Sequence, residues 1–82
     1  MKKPIGKITH YYGNIGVAVI ELEGTLREGD KISIEGTTTN FEQTVDSMQL
    51  NHENVKEAHA GDAIGMKVAE RVRLGDRCYL AD

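Results

Sequence analysis

The chain carries a single cysteine, Cys78, so no disulfide can form within it. That scarcity excludes the stapled scaffolds of small secreted domains and fits a reducing compartment. Three histidines, His10, His52 and His59, are scattered without ligand spacing, which argues against a metal cage of any recognised pattern. Long apolar runs are missing too. No segment approaches the roughly 20 apolar residues that span a bilayer. The apolar stretch after Met1-Lys2-Lys3-Pro4 is broken at once by Lys7, Thr9 and His10, where a secretory leader needs an unbroken run. The sequence therefore predicts a soluble, cytoplasmic protein with no membrane partner. Basic excess is also lacking. A net charge of −3 argues against gripping a nucleic-acid backbone through bulk electrostatics. Lys2, Lys3 and Lys7 make one local cluster, read as solubilising charge at a terminus.

What is present is a β pattern, in a chain of 82 residues that holds one domain, residues 1–82, and not two. At this size folding buries only about 60% of the surface that the unfolded chain exposes, so the core works with a thin margin. A first strand is expected over Ile5 to Tyr12, ended by Gly13-Asn14 as a positive-φ turn. Ile15 to Leu22 follows, apolar on both faces, as a strand crossing the middle of a closed sheet. Lys31 to Glu35 alternates cleanly, with Ile32 and Ile34 on one face, and Thr37-Thr38-Thr39-Asn40 reads as a polar loop. From Phe41 to Gln49 the alternation shifts phase near Met48, which predicts a bulge or bend. Asn51 to Ala60 reads as a loop with at most one helical turn, and Ala63 to Val68 and Arg77 to Leu80 as strands. Six or seven short strands without a long helix predict an all-β fold, a closed or nearly closed barrel.

Gly-Asp occurs three times, at Gly29-Asp30, Gly61-Asp62 and Gly75-Asp76, each just before an expected strand. Three aspartates invite a metal reading, but their identical placement relative to strands points to turn punctuation. Catalytic patterns are missing. Gly13-Asn14-Ile15-Gly16 has no lysine after it and sits in a hairpin, so it is no phosphate loop. Ser33 and Ser47 lie in strand patterns without a nucleophile elbow, and Cys78 lies in a strand as a small hydrophobe. No catalytic residue, metal ligand or cofactor is expected. Tyr11 and Tyr12 are adjacent on a strand, so one ring points inward and one outward. The outward ring, with His10 and Lys7 nearby, is placed to stack on a base or a peptide.

The segment Val45-Asp46-Ser47-Met48-Gln49-Leu50-Asn51-His52-Glu53, then Glu57-Ala58 and Gly61-Asp62-Ala63-Ile64-Gly65, resembles the second domain of translational GTPases. The likeness is strongest to the factors that deliver aminoacyl-tRNA, and Gly24-Thr25-Leu26-Arg27-Glu28-Gly29 resembles their Gly-x-Leu-Lys-x-Gly turn. Gln49, Leu50 and Asn51 depart from the residues found there in those factors. The chain is also similar to the C-terminal barrel of collagenase-like peptidases. That likeness runs through Gly29-Asp30, Ile34, Gly36, Phe41, Gln43-Thr44-Val45 and Gly75-Asp76.

The resemblance implies a six- or seven-stranded Greek-key barrel of the elongation factor domain 2 type, without the GTPase domain and so without GTP binding. It implies a non-catalytic barrel whose partner is RNA or a translation component. The alternative is a protein-interaction or accessory module for a separate catalytic chain. The expected contact residues are Lys7, His10, Tyr12, Gln49, Asn51 and His52.

Overall fold

Alternation of side chains, rather than any long apolar run, organises the chain into strands. A computed structural model describes residues 3–81, so Met1, Lys2 and Asp82 lie outside the described residues, Lys2 of the lysine cluster among them. The strands are β1 (Lys3–Tyr12), β2 (Val17–Leu22), β3 (Leu26–Arg27), β4 (Lys31–Glu35) and β5 (Asn40–Thr44). They continue as β6 (Met48–Leu50), β7 (Glu53–Val55), β8 (Glu57–Ala58), β9 (Ala63–Lys67) and β10 (Arg77–Leu80). Eight of them form one sheet in the order β5-β4-β10-β1-β2-β9-β6-β7, and β3 pairs with β8 in a small ribbon. Every pairing is antiparallel. The all-β class is as expected; the strand count is higher. The excess arises where 51–60, read as a loop or helical turn, instead contains β7 and β8. It also arises where β3 lies in an expected connection, and where Phe41 to Gln49 divides into β5 and β6.

Inward residues stack in cross-strand rows. Ile8, Ile20 and Ile64 are direct neighbours on β1, β2 and β9, and Cys78, Ile34 and Phe41 on β10, β4 and β5. The three isoleucines of the first row are almost wholly buried, each contributing about 2–3 kcal/mol of hydrophobic stabilisation. Leu26 and Ala58 bring the β3–β8 ribbon into the same core. The sheet curls, and Gln43 closes its seam. The Gln43 amide donates to the Lys67 carbonyl at 2.9 Å and its oxygen accepts from the Ala69 N–H at 2.7 Å. One side chain thus links β5 to the end of β9 where no backbone ladder runs.

The three Gly-Asp turns are built alike. Asp30, Asp62 and Asp76 each donate a backbone N–H to the carbonyl three residues back, on Arg27, His59 and Arg73, at 3.0–3.1 Å. Each aspartate carboxylate accepts the N–H of that same residue at 2.9–3.0 Å. Gly29, Gly61 and Gly75 supply φ of 95°, 93° and 89°, conformations that L side chains enter at a cost. The aspartates therefore act as turn locks, reaching back along the chain.

Two details of the sequence reading change. The first hairpin turns over four residues, 13–16, closed by the Gly16 N–H on the Tyr12 carbonyl at 2.9 Å. Positive φ falls at Gly16 (66°) rather than at Gly13 or Asn14, so β2 starts at Val17 and Ile15 stands exposed. The phase shift near Met48 is a break between β5 and β6, where the chain crosses from β4 to β9.

Candidate functional site

An irregularity in β1 builds the outer face. The register with β2 slips between Ile8 and His10, leaving Thr9 as an extra residue. Strict alternation sends Lys7 and His10 to opposite faces; the bulge returns both, with Tyr12, to the outside. Tyr11 turns inward and packs against the core. Outward positions then align in rows across β1, β2, β9 and β6. Lys7 faces Glu21 and Ala63, His10 faces Val19, Gly65 and Gln49, and Tyr12 faces Val17 and Lys67.

These rows frame a groove of about 390 Å³, lined by Tyr12, Ile15, Val17, Val19, Gln49, Asn51, His52, Ala63 and Gly65. Val17 and Val19 form an apolar floor on the outside of a sheet, where strands of this kind usually carry polar groups. Gly65 keeps the floor low because it has no side chain. Tyr12, 52% exposed, and Ile15, 61% exposed, make one wall. The His10 ring stacks against Tyr12, with centroids 6.3 Å apart and planes 18° from parallel. Opposite them, Gln49 donates from Nε2 to Asn54 Oδ1 at 3.2 Å, which holds the amide in place at the rim.

Asn51 and His52 form the two-residue turn between β6 and β7, where Leu50 faces Glu53. Their φ values, 54° and 67°, are both left-handed, as the turn type matched to strand twist demands. Asparagine takes this conformation readily; for histidine it costs more than for glycine. The histidine is therefore held at the groove edge in the left-handed conformation of the turn.

Of the six residues expected to make contacts, Tyr12, Gln49, Asn51 and His52 line this groove. His10 supports Tyr12 and lines the neighbouring cleft. Lys7 lies on the same face, in the row of Glu21 and Arg77, and does not line the groove. The wall residue Ile15 and the floor residues Val17, Val19, Ala63 and Gly65 were not anticipated as contacts. For Ile15, Val17 and Val19 the signal was the doubled apolarity of Ile15 to Leu22, which reflects a central strand and, equally, an apolar surface. Ala63 and Gly65 on β9 carried none.

Other chemistry is muted. Among the described residues, no three His, Cys, Asp or Glu side chains are grouped to hold a metal. Nor is any helix long and apolar enough to cross a membrane. Across the β3–β8 ribbon, Arg27 Nε lies 2.6 Å from Glu57 Oε2 and holds that carboxyl below its usual range. Both groups are exposed, so the pair adds little to stability. Cys78 is fully buried, and burial pushes its thiol up to about 12. A thiol so placed stays protonated and is no nucleophile.

Because the folded thiol titrates above its unfolded value of 9.0, its contribution is complete below that pH. It is lost as pH climbs toward about 12, since the unfolded chain then gives up the proton first. Denaturant melts across this window will show a steeper loss of stability for the native chain than for Cys78→Ala.

The chain resembles known proteins along nearly its whole length. The family model for elongation factor Tu domain 2 matches residues 17–72. An uncharacterised protease of Methanocaldococcus jannaschii is 45% identical over 96% of this chain and 20% of its own length. A collagenase of Porphyromonas gingivalis is 37% identical over 99% of this chain and 23% of its own. The chain thus spans about a fifth of the length of the curated relatives it matches. Among solved structures, one similar fold is the C-terminal domain of a Geobacillus thermoleovorans protein described as a U32 peptidase. It has a TM-score of 0.92 at 18% identity, covering 98% of this chain and 93% of that one. A bacterial selenocysteine-specific elongation factor has a TM-score of 0.72 at 28% identity over 95% of this chain and 14% of that one. The matched residues run from β2 through β9 and include most of the groove. On that match, this chain belongs to the elongation factor Tu domain 2 family.

Proposed function

We propose that the chain is a non-catalytic barrel that binds RNA, holding one unstacked nucleotide in the groove between Tyr12 and His52. One observation carries this reading. An apolar floor, an aromatic wall and a rim of amide groups meet in a single open groove. A splayed base presents the matching chemistry: flat apolar faces for Val17, Val19 and Tyr12, and hydrogen-bonding edges for Gln49 and Asn51. A non-catalytic role is supported by the buried cysteine and by the three turn aspartates, each engaged by its own backbone. The barrel works as one part of a larger protein or assembly in the cytoplasm, where a lone thiol stays reduced.

Fluorescence anisotropy of nuclease-treated protein with short single-stranded RNA tests this. Binding is expected, and it weakens as salt is added. Absence of any salt-dependent affinity contradicts the proposal.

The names of the curated relatives, protease and collagenase, favour a second reading, in which the groove docks a segment of a separate catalytic chain. In that case the anisotropy experiment returns no RNA binding, and a peptide-binding groove of this apolar kind shows little response to salt.

A further inference from the structure

Beside the groove lies a second cleft, of about 670 Å³, lined by His10, Tyr11, Arg71, Val72, Arg73 and Leu74. It belongs to the loop between β9 and β10, which runs along β1 on the side away from β2. Two backbone bonds pin the loop there: Gly75 N–H to the Ile8 carbonyl at 3.0 Å, and Ile8 N–H to the Asp76 carbonyl at 2.8 Å. The Asp76 carboxylate also holds the Arg73 N–H at 2.9 Å. The loop is therefore fixed, with Val72 buried in the core, while Arg71, Arg73 and Leu74 are exposed to solvent. Leu74 is 67% exposed, and neither Arg71 nor Arg73 has an ion-pair partner among the described residues, although Glu70 is adjacent in sequence.

In a chain with net charge −3, two unpaired arginines on a fixed loop beside an aromatic pair are a local exception. The two clefts meet at the stacked rings, with His10 in one and Tyr12 in the other.

We propose that a single RNA strand leaves the groove, crosses the His10–Tyr12 rings and places its phosphates on Arg71 and Arg73. The inference rests on the groove binding a nucleotide and adds where the strand goes next. The rings offer a stacking surface for a second base, and the guanidiniums meet phosphate oxygens in a paired geometry that lysine does not reproduce. Leu74 covers the sugar side of the strand with apolar surface.

The test compares a nucleoside monophosphate with a mixed-sequence tetraribonucleotide, binding each to the native chain and to R71Q/R73Q. The native chain is expected to bind the tetranucleotide more tightly, and R71Q/R73Q to lose that gain while keeping its affinity for the mononucleotide. Two phosphate contacts on a single strand change the salt slope by about 1.4, so the double variant shows about sevenfold less affinity loss between about 50 and about 200 mM salt. R71K/R73K restores the salt slope, because the charges return. If length adds nothing, or R71Q/R73Q binds the tetranucleotide like the native chain, the strand path is wrong while the groove reading stands. If neither ligand binds, the groove reading itself fails. A hexaglutamate peptide that matches the tetranucleotide overturns the path in favour of an acidic protein segment.

Discussion

Replacing Gly6 with alanine lowers the melting temperature by about 12–24 °C, or prevents folding outright. Gly6 sits on β1 between β10 and β2, facing Cys78 and Leu22 across the two ladders. A methyl group there would come within 2.7 Å of the Glu21 backbone carbonyl and 2.8 Å of an Ile20 methyl. The carbonyl belongs to the central sheet and the methyl to the packed core, so neither yields cheaply. Overpacking of this kind costs about 3 kcal/mol. A domain of this size holds only about 4–12 kcal/mol in total. Circular dichroism melts of Gly6→Ala beside the native chain read the effect directly. An unchanged melting temperature would mean that β1 and β2 are more widely separated than the structure shows.

Gly65→Val is expected to do the reverse, sparing the fold and closing the groove. A Cβ at Gly65 meets only a Val17 methyl, at 3.6 Å, an ordinary van der Waals contact. Valine suits a strand better than glycine, so stability holds or rises by up to about 1 kcal/mol. Its methyl groups, however, fill the low point between Val19 and Gln49, where the base is proposed to lie. Base stacking on such a platform contributes about 1–3 kcal/mol, so RNA affinity falls about 5- to 150-fold. Paired measurements, a melt and an anisotropy titration, separate the two effects. Affinity that survives intact in a folded Gly65→Val protein places the contact elsewhere.

These two glycines show what sequence can and cannot convey. Both read as glycine within a strand pattern, yet one is enclosed by backbone and core and the other opens onto solvent. Only the register of β1, β2 and β9 separates them. The Gly-Asp turns were legible because their chemistry is local: glycine, aspartate and a carbonyl three residues back suffice. The inward rows of isoleucine were legible for a similar reason, as period-2 alternation maps directly onto a sheet face.

The groove was legible in part. Tyr12, Gln49, Asn51 and His52 were picked out by residue type and by family resemblance, but nothing local brings β1 to β6. That meeting depends on β9 pairing with both β2 and β6. Lys7 and His10 share the outer face, although plain alternation puts them on opposite faces. The Thr9 bulge reconciles this, and a bulge has no signature within five residues of sequence. The stretch 51–60 misled because its strands have only two or three residues, too few to establish a period.

The most direct measurement is an NMR titration of the isotope-labelled chain with short single-stranded RNA, following backbone amides residue by residue. Saturable shifts gathered at Tyr12, Val17, Val19, Gln49, Asn51, His52 and Gly65, with the amides of β4 and β5 undisturbed, are the expected result. Shifts confined to β4 and β5, or no shifts at all, would contradict a nucleotide site on the outer face of β1, β2, β9 and β6.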